Sequence, residues 1–210
     1  MIVAVGGPCY RYQLSASHAM MLAQLGMACH GPGNETKHVL GVMIYEHTSV
    51  LPAGRADVLS RAMASDAHAL LSVDADTWMD AEVALKVLDV ADRLFDRFDV
   101  AALGVCVPQD DGRVNAWKAE GERIDAPKPW RPFPVHAIGA GITVHNLEWH
   151  RREAKRSGGR WPWTAYAVIP SGRPNAFYGE DYVYCERVRA EGGVVLAVYT
   201  TGGVFHGRGY

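Results

Sequence analysis

Apolar runs of strand length alternate with longer stretches whose apolar residues recur every three or four positions. Residues 2–5, 39–45, 70–73 and 100–107 form the short runs. Residues 15–29, 51–65 and 80–95 read as helices, the third with apolar Val83, Leu85, Val87, Leu88, Val90, Ala91 and Leu94. Strands that alternate with helices predict an α/β fold with a largely parallel sheet. After Val107 the rhythm changes. Residues 108–134 are rich in Pro, Asp and Gly, with Trp117 and Trp130 among them, and predict loops and short antiparallel strands. Residues 137–144 follow as a strand interrupted by two glycines, then a helix near 147–156 and a loop over 157–178 holding Trp161, Trp163 and Tyr166. A further helix opens at Gly179-Glu180-Asp181 and stops at Gly192-Gly193. A strand over 194–199 precedes a glycine-rich tail with His206.

Composition narrows the function classes. With 210 residues, 49% hydrophobic and 21% charged, the chain is expected to be one domain with a large core. A net charge of −2 gives no overall attraction to nucleic acid or anionic lipid. No apolar run approaches the roughly 20 residues that span a bilayer. The start, Met1-Ile2-Val3-Ala4-Val5, lacks the basic residues and long apolar stretch of a secretory signal. Cys9, Cys29, Cys106 and Cys185 show no CxxC spacing, so neither disulfides nor zinc are expected, and a reducing cytoplasm is the expected setting.

The richest chemistry lies in Leu70-Leu71-Ser72-Val73-Asp74-Ala75-Asp76-Thr77, an apolar strand cut off by two carboxylates. Open α/β sheets bind ligands outside the carboxyl ends of their strands. Two carboxylates held there repel unless a positive group sits near them, and a divalent cation bridging to a diphosphate is one answer. The plain alternative is a polar loop in which Asp76 or Thr77 caps the next helix. The first strand ends in Gly6-Gly7-Pro8-Cys9-Tyr10, a tight turn where backbone can approach a ligand, although it is no GxGxxG fingerprint. Glu180 and Asp181 suit a helix start by charge alone. Aromatic faces suit the apolar faces of sugars or exposed bases, although large aromatics also fill cores, and Trp161 and Trp163 are candidates for either role.

In order along the chain, Asp74-x-Asp76, Gly139-Ala140-Gly141, Tyr178-Gly179-Glu180-Asp181, the helix ending in Glu191-Gly192-Gly193, and His206 after a last strand resemble a GT-A fold glycosyltransferase. The likeness is greatest to the inverting family-two nucleotide-sugar transferases, in the compact form common in phages and bacteria, and covers nearly the whole chain. Pro8-Cys9-Tyr10 and Gly54-Arg55-Ala56-Asp57 extend it, with Ala56 where that family has Asn.

The resemblance implies a Rossmann-like three-layer sandwich with a mostly parallel central sheet and a small antiparallel region on the acceptor side. Residues 1–107 would form the nucleotide-sugar half and 108–210 the acceptor half. Pro8, Cys9, Tyr10, Arg55, Asp74, Asp76, Gly139, Ala140 and Gly141 would face a UDP- or GDP-sugar. Asp74 and Asp76 would hold Mn²⁺ or Mg²⁺, and a nitrogen ligand from His206 would favour Mn²⁺. Asp181 would be the general base, with Glu180 orienting the acceptor or serving in its place, and Trp161 and Trp163 would line the acceptor site. The acceptor stays open among a modified DNA base, a protein and a glycan. DNA would call on a basic groove, for which Arg113, Lys118, Arg123, Lys128, Arg131 and Arg160 are placed in suitable segments. Two rivals are a sugar-nucleotidyltransferase, whose usual lysine after the first strand is missing here, and a catalytically silent nucleotide- or carbohydrate-binding module.

Overall fold

A computed structural model describes residues 1–9, 14–31, 36–47, 50–97, 99–108, 113–119, 122–139, 141–170 and 177–206. The first half runs β1 (Ile2–Cys9), α1 (Ala16–His30), β2 (Val39–His47), α2 (Leu51–Ala64), β3 (Ala69–Val73), β4 (Thr77–Met79), α3 (Ala81–Phe95) and β5 (Val100–Cys106). The second half runs β6 (Arg113–Ala119), β7 (Glu122–Asp125), β8 (Phe133–Pro134), β9 (Ala137–Ile138), β10 (Ile142–Asn146), α4 (Leu147–Arg156), β11 (Ile169–Pro170), β12 (Phe177–Tyr178), α5 (Glu180–Ala190), β13 (Val194–Tyr199) and β14 (Val204–His206).

Seven strands form the central sheet in the order β2-β1-β3-β10-β5-β13-β8. β2, β1, β3, β5 and β13 point one way, while β10 and β8 run against them. The sheet is mostly parallel, as expected. One expectation needs correction. The apolar stretch 137–144 is not a single strand: β9 joins β6 in a separate three-stranded sheet, and β10 crosses back as the middle strand of the main one. The glycines between them make the change of sheet feasible, because a side chain at Gly139 would press on Asn115 at 3.1 Å.

The two faces of the sheet pack differently. Val3, Val5, Leu71, Val73, Leu103, Val105, Val144, Leu196 and Val198 project toward α1 and α3. Toward α2, α4 and α5 the strands offer smaller residues, among them Ala4, Ala102 and Ala197. The volume saved holds a buried polar chain. The Trp161 indole N–H donates to His150 Nδ1 at 2.9 Å. His150 Nε2 lies 3.1 Å from the Tyr184 hydroxyl, and that hydroxyl lies 3.0 Å from His145 Nδ1. Since an indole can only donate, neutral His150 carries its proton on Nε2, and Tyr184 passes its own to His145. Tyr166 stacks on Tyr184 with centroids 4.9 Å apart.

Burial keeps this chain uncharged. It pushes His145 down to about 3, with Arg55 adding repulsion, and holds His150 well below its ordinary value, with His145 adding to the effect. His18, buried on the opposite face, is lowered by burial too. Groups depressed in the folded state stay neutral there while their unfolded counterparts take up protons. Stability is therefore full above about pH 6.5 and is lost as the pH falls toward the folded values. Urea titrations at pH 7.5 and 5.5 should show a loss of about 1.4 kcal/mol from His145 alone, with His150 and His18 adding to it. A flat profile would mean that the imidazoles are solvated and charged in the native protein.

Candidate functional site

β3 delivers its last residues to the carboxyl edge of the sheet, and the chain then turns over Asp74–Thr77. Thr77 N–H donates to the Asp74 carbonyl at 2.9 Å, which closes a β-turn. Asp74 N–H donates to the Gly141 carbonyl at 2.9 Å, tying the turn to the segment that enters β10. On the other side Ser15 N–H reaches the Ala75 carbonyl at 3.4 Å. Fully buried His18 places Nδ1 3.1 Å from the Asp74 carbonyl and 2.8 Å from the Thr77 carbonyl. The next element is β4 rather than a helix, and α3 starts later with Asp80 at its N-cap. Neither Asp76 nor Thr77 therefore caps α3, the helix that follows.

The C-terminal segment returns to this turn. β14 pairs antiparallel with β4 so that His206 stands opposite Thr77, and Phe205 stacks on Trp78 with centroids 5.7 Å apart. The return is anchored by Asp80 N–H donating to the carbonyl of Gly203, whose φ of 72° suits glycine.

The charges at the site are organised by Arg55, which is 6% exposed on α2. Its Nη2 meets Asp74 Oδ2 at 3.0 Å and its Nε meets Glu180 Oε1 at 3.2 Å. One guanidinium thus joins the end of β3 to the first turn of α5. Burial alone would favour the neutral guanidine, but Asp74, Tyr166 and Glu180 outweigh it and hold the group firmly protonated. For Asp74 burial wins: its carboxyl is held above the ordinary range despite Arg55, with Asp76 and Glu180 pushing the same way. Asp74 Oδ1 is buried and has no hydrogen-bond partner. Asp76 is exposed, 3.4 Å from the Thr77 hydroxyl that donates to it. At the start of α5, Gly179 gives no side-chain cap, and Asp181 Oδ1 accepts the Tyr182 N–H at 2.7 Å.

The expected residues distribute as follows. Asp74, Arg55 and Glu180 are in direct contact, with Asp76 next to Asp74 in the turn and Asp181 next to Glu180 on α5. The tight turn expected at Gly6-Gly7-Pro8 needs correction: β1 runs on through Cys9 because β2 pairs with it to the end, and Pro8 and Cys9 are buried opposite Glu46 and His47. Gly7 is required by a neighbouring strand, since a Cβ there would lie 2.0 Å from the Val73 carbonyl oxygen. Gly139 is held by Asn115, whose amide also reaches the Gly139 carbonyl at 3.3 Å. Tyr10 and Ala140 lie outside the described residues, and of His206 only the backbone falls within them. Trp161 is a correction: its ring is 3% exposed and its N–H is taken by His150, so it offers no face to an acceptor. Trp163 is 51% exposed. Two of the basic residues noted for DNA are engaged nearby, Lys118 with Glu122 and Arg123 over the Trp117 ring. His18, Tyr45 and Asn115 were missed by sequence reasoning: His18 and Asn115 act on backbone far away in the chain, and Tyr45 acts on the His18 ring.

Among the described residues no three His, Cys, Asp or Glu side chains converge as a metal cage, and no helix is long and apolar enough to cross a membrane.

No family model matches the chain, and no curated protein matches it by sequence. Solved structures do match by fold. GalNAc-T7, solved with UDP, GalNAc and Mn²⁺, superposes with a TM-score of 0.61 at 11% identity over 99% of this chain and 44% of that one. A197 from STIV gives 0.53 at 11% identity over 100% and 96%. S. aureus TarS 1–349 in complex with UDP-GlcNAc gives 0.51 at 11% identity over 100% and 59%. The chain thus spans under two thirds of GalNAc-T7 and of the TarS fragment and nearly all of A197. The fold is that of GT-A type glycosyltransferases.

Arg55→Met should leave two half-buried carboxylates without their counter-charge and lower unfolding stability by about 2–4 kcal/mol. Arg55→Lys, which keeps the charge but loses the fork, should lose less. Chemical denaturation of both variants checks this, and equal stability of Arg55→Met and the native protein would refute the bridging role.

Proposed function

We propose that the chain is a glycosyltransferase that moves a sugar from a nucleotide-diphosphate donor, a UDP-sugar in the first instance, to an acceptor hydroxyl. The observation that carries this reading is the convergence, through Arg55, of the Asp-x-Asp turn with the acidic start of α5 on a GT-A fold. The choice of UDP rests on the ligands of GalNAc-T7 and TarS.

The residues at the turn fit a divalent cation. Asp74 Oδ1 is a buried oxygen without a donor, Asp76 is an exposed carboxylate one residue away, and hard oxygen donors suit Mn²⁺ or Mg²⁺. Asp76 and Asp74 would hold the ion, with His206 as third ligand from the strand paired beside Thr77. When bound, the ion supplies charge neutralisation for the nucleoside diphosphate leaving group.

The protein's own groups supply the rest. Arg55 prevents Asp74 and Glu180 from repelling one another and so keeps the donor and acceptor sides at a fixed separation. Asp181, on the first turn of α5, takes the proton of the acceptor hydroxyl as that oxygen attacks the anomeric carbon. Glu180, oriented by Arg55, positions the acceptor. The exposed ring of Trp163 gives the acceptor an apolar face.

The protein incubated with UDP-sugars and Mn²⁺ should release UDP, and Asp76→Ala should abolish that release. Asp181→Asn should lower kcat by about 10²–10⁴-fold with little change in donor binding. Full activity in Asp181→Asn would exclude it as the base. Binding of UDP without turnover by the native protein would favour a silent binding module.

A further inference from the structure

The imidazole of His18 is fully buried beneath the aspartate turn, fifty-odd residues earlier in sequence, and it is saturated by partners that leave it one arrangement. Nδ1 faces two carbonyl oxygens, of Asp74 at 3.1 Å and Thr77 at 2.8 Å, and carbonyls only accept. Nδ1 must therefore carry a proton. Nε2 lies 2.8 Å from the Tyr45 hydroxyl, whose ring stands edge-on at 5.6 Å between centroids. Burial disfavours a second proton on the ring, so Tyr45 donates to Nε2 and fixes which nitrogen faces the turn. His18 sits in the first turn of α1, and its backbone N–H is held by the N-cap hydroxyl of Ser15 at 3.0 Å. The N–H of Ser15 in turn reaches the Ala75 carbonyl. The start of α1 thus clamps the carbonyls of Asp74, Ala75 and Thr77, the first and last of which bracket Asp76.

We propose that His18, oriented by Tyr45, is a positioning residue that locks the Asp74–Thr77 turn and thereby sets how the two carboxylates are presented. Its link to catalysis rests on the metal-dependent transferase reading above. The locking itself belongs to the protein without ligand. Both carboxylates are borne by the turn: Asp74 is held through Oδ2 by Arg55, and exposed Asp76 accepts from the Thr77 hydroxyl of the same turn. What fixes the distance between their Cα atoms is the backbone of the turn, and the buried ring is the group that spans it.

Three variants separate positioning from bulk stability. His18→Phe keeps a ring but removes the hydrogen bonds to the Asp74 and Thr77 carbonyls and to Tyr45. His18→Asn restores a side-chain N–H donor. Tyr45→Phe leaves the imidazole and frees Nε2. Amide hydrogen exchange of peptides covering residues 72–80, measured without ligand, should rise about tenfold in His18→Phe while peptides of β5 and α4 keep native protection. His18→Asn should return exchange to within about threefold of native, since one donor to the same carbonyls is recovered. Mn²⁺ quenching of tryptophan fluorescence, with Trp78 in the strand that leaves the turn, should report an apparent Kd about tenfold weaker in His18→Phe and recovered in His18→Asn. If His18→Phe does not fold, Tyr45→Phe decides: faster exchange confined to 72–80 supports the proposal, and native exchange overturns it. Native-like exchange and quenching in a folded His18→Phe overturns it as well, as does uniform loosening of the whole protein with no rescue by His18→Asn. Absence of Mn²⁺ quenching in the native protein, with the exchange results as expected, sinks the metal reading and leaves the turn lock standing.

Discussion

A guanidinium cannot shed its charge to suit its surroundings, so once Arg55 is buried the fold must bring anions to it. Two are brought, Asp74 from the end of β3 and Glu180 from the start of α5, each within 3.2 Å. An arrangement of this kind adds little net stability, because the attraction of the ions is set against the loss of their hydration. What it contributes is convergence. With Arg55 charged, any packing that separates the β3 edge from the α5 N-terminus strands a buried cation, and such packings are excluded at a cost of several kcal/mol. The contact between the two acidic segments is thus enforced by a residue on a third element.

The room for this comes from the asymmetry of the sheet. The α1/α3 face is filled by Val and Leu, whereas the α2/α4/α5 face has Ala4, Ala102 and Ala197 in its strands. Small strand residues let Arg55, His145, His150, Tyr166, Tyr184 and Trp161 occupy one layer without overpacking. Trp161, His150, Tyr184 and His145 are neutral and hydrogen-bonded in sequence from the indole to His145, and Tyr166 stacks on Tyr184. Buried polar networks are costly unless every member is satisfied, and here the donor-only indole at one end sets the direction of each bond down the line.

Local pattern was enough to place most helices and the parallel strands. α4 and α3 carry amphipathic spacing that closely matches their observed limits, and Gly192, at φ 77°, lies just past α5 where expected. The run 137–144 misled for a physical reason. An apolar strand buried on both faces has the same composition whether its neighbours are parallel or antiparallel, so its residues could not reveal that β10 reverses between β3 and β5. The site divides along the same line. Paired carboxylates after an apolar strand and acidic residues at a helix start are local signals. The contacts that hold them, His18 to two backbone carbonyls and Asn115 to Gly139, involve a side chain and a distant backbone group, and a backbone group has no identity in sequence. Trp161 failed as an acceptor residue because a tryptophan in a Pro/Gly-rich loop reads the same whether the loop folds its ring inward or outward.

Charge and geometry at the aspartate turn are consequently handled by separate groups on opposite sides of the sheet. Arg55 approaches from α2 and meets a side-chain oxygen; His18 approaches from α1 and meets only main-chain oxygens. A single residue could not do both. A cation placed against the main chain of the turn would compete with any ligand ion for the same carboxylates, whereas a neutral imidazole can hold the backbone without altering the charge there. Conversely, a neutral partner for Asp74 would leave it facing Asp76 and Glu180 uncompensated. The turn is also fastened to α1 and to the segment that enters β10 by backbone hydrogen bonds that do not involve the Arg55 bridge, so its geometry and its charge balance rest on different contacts.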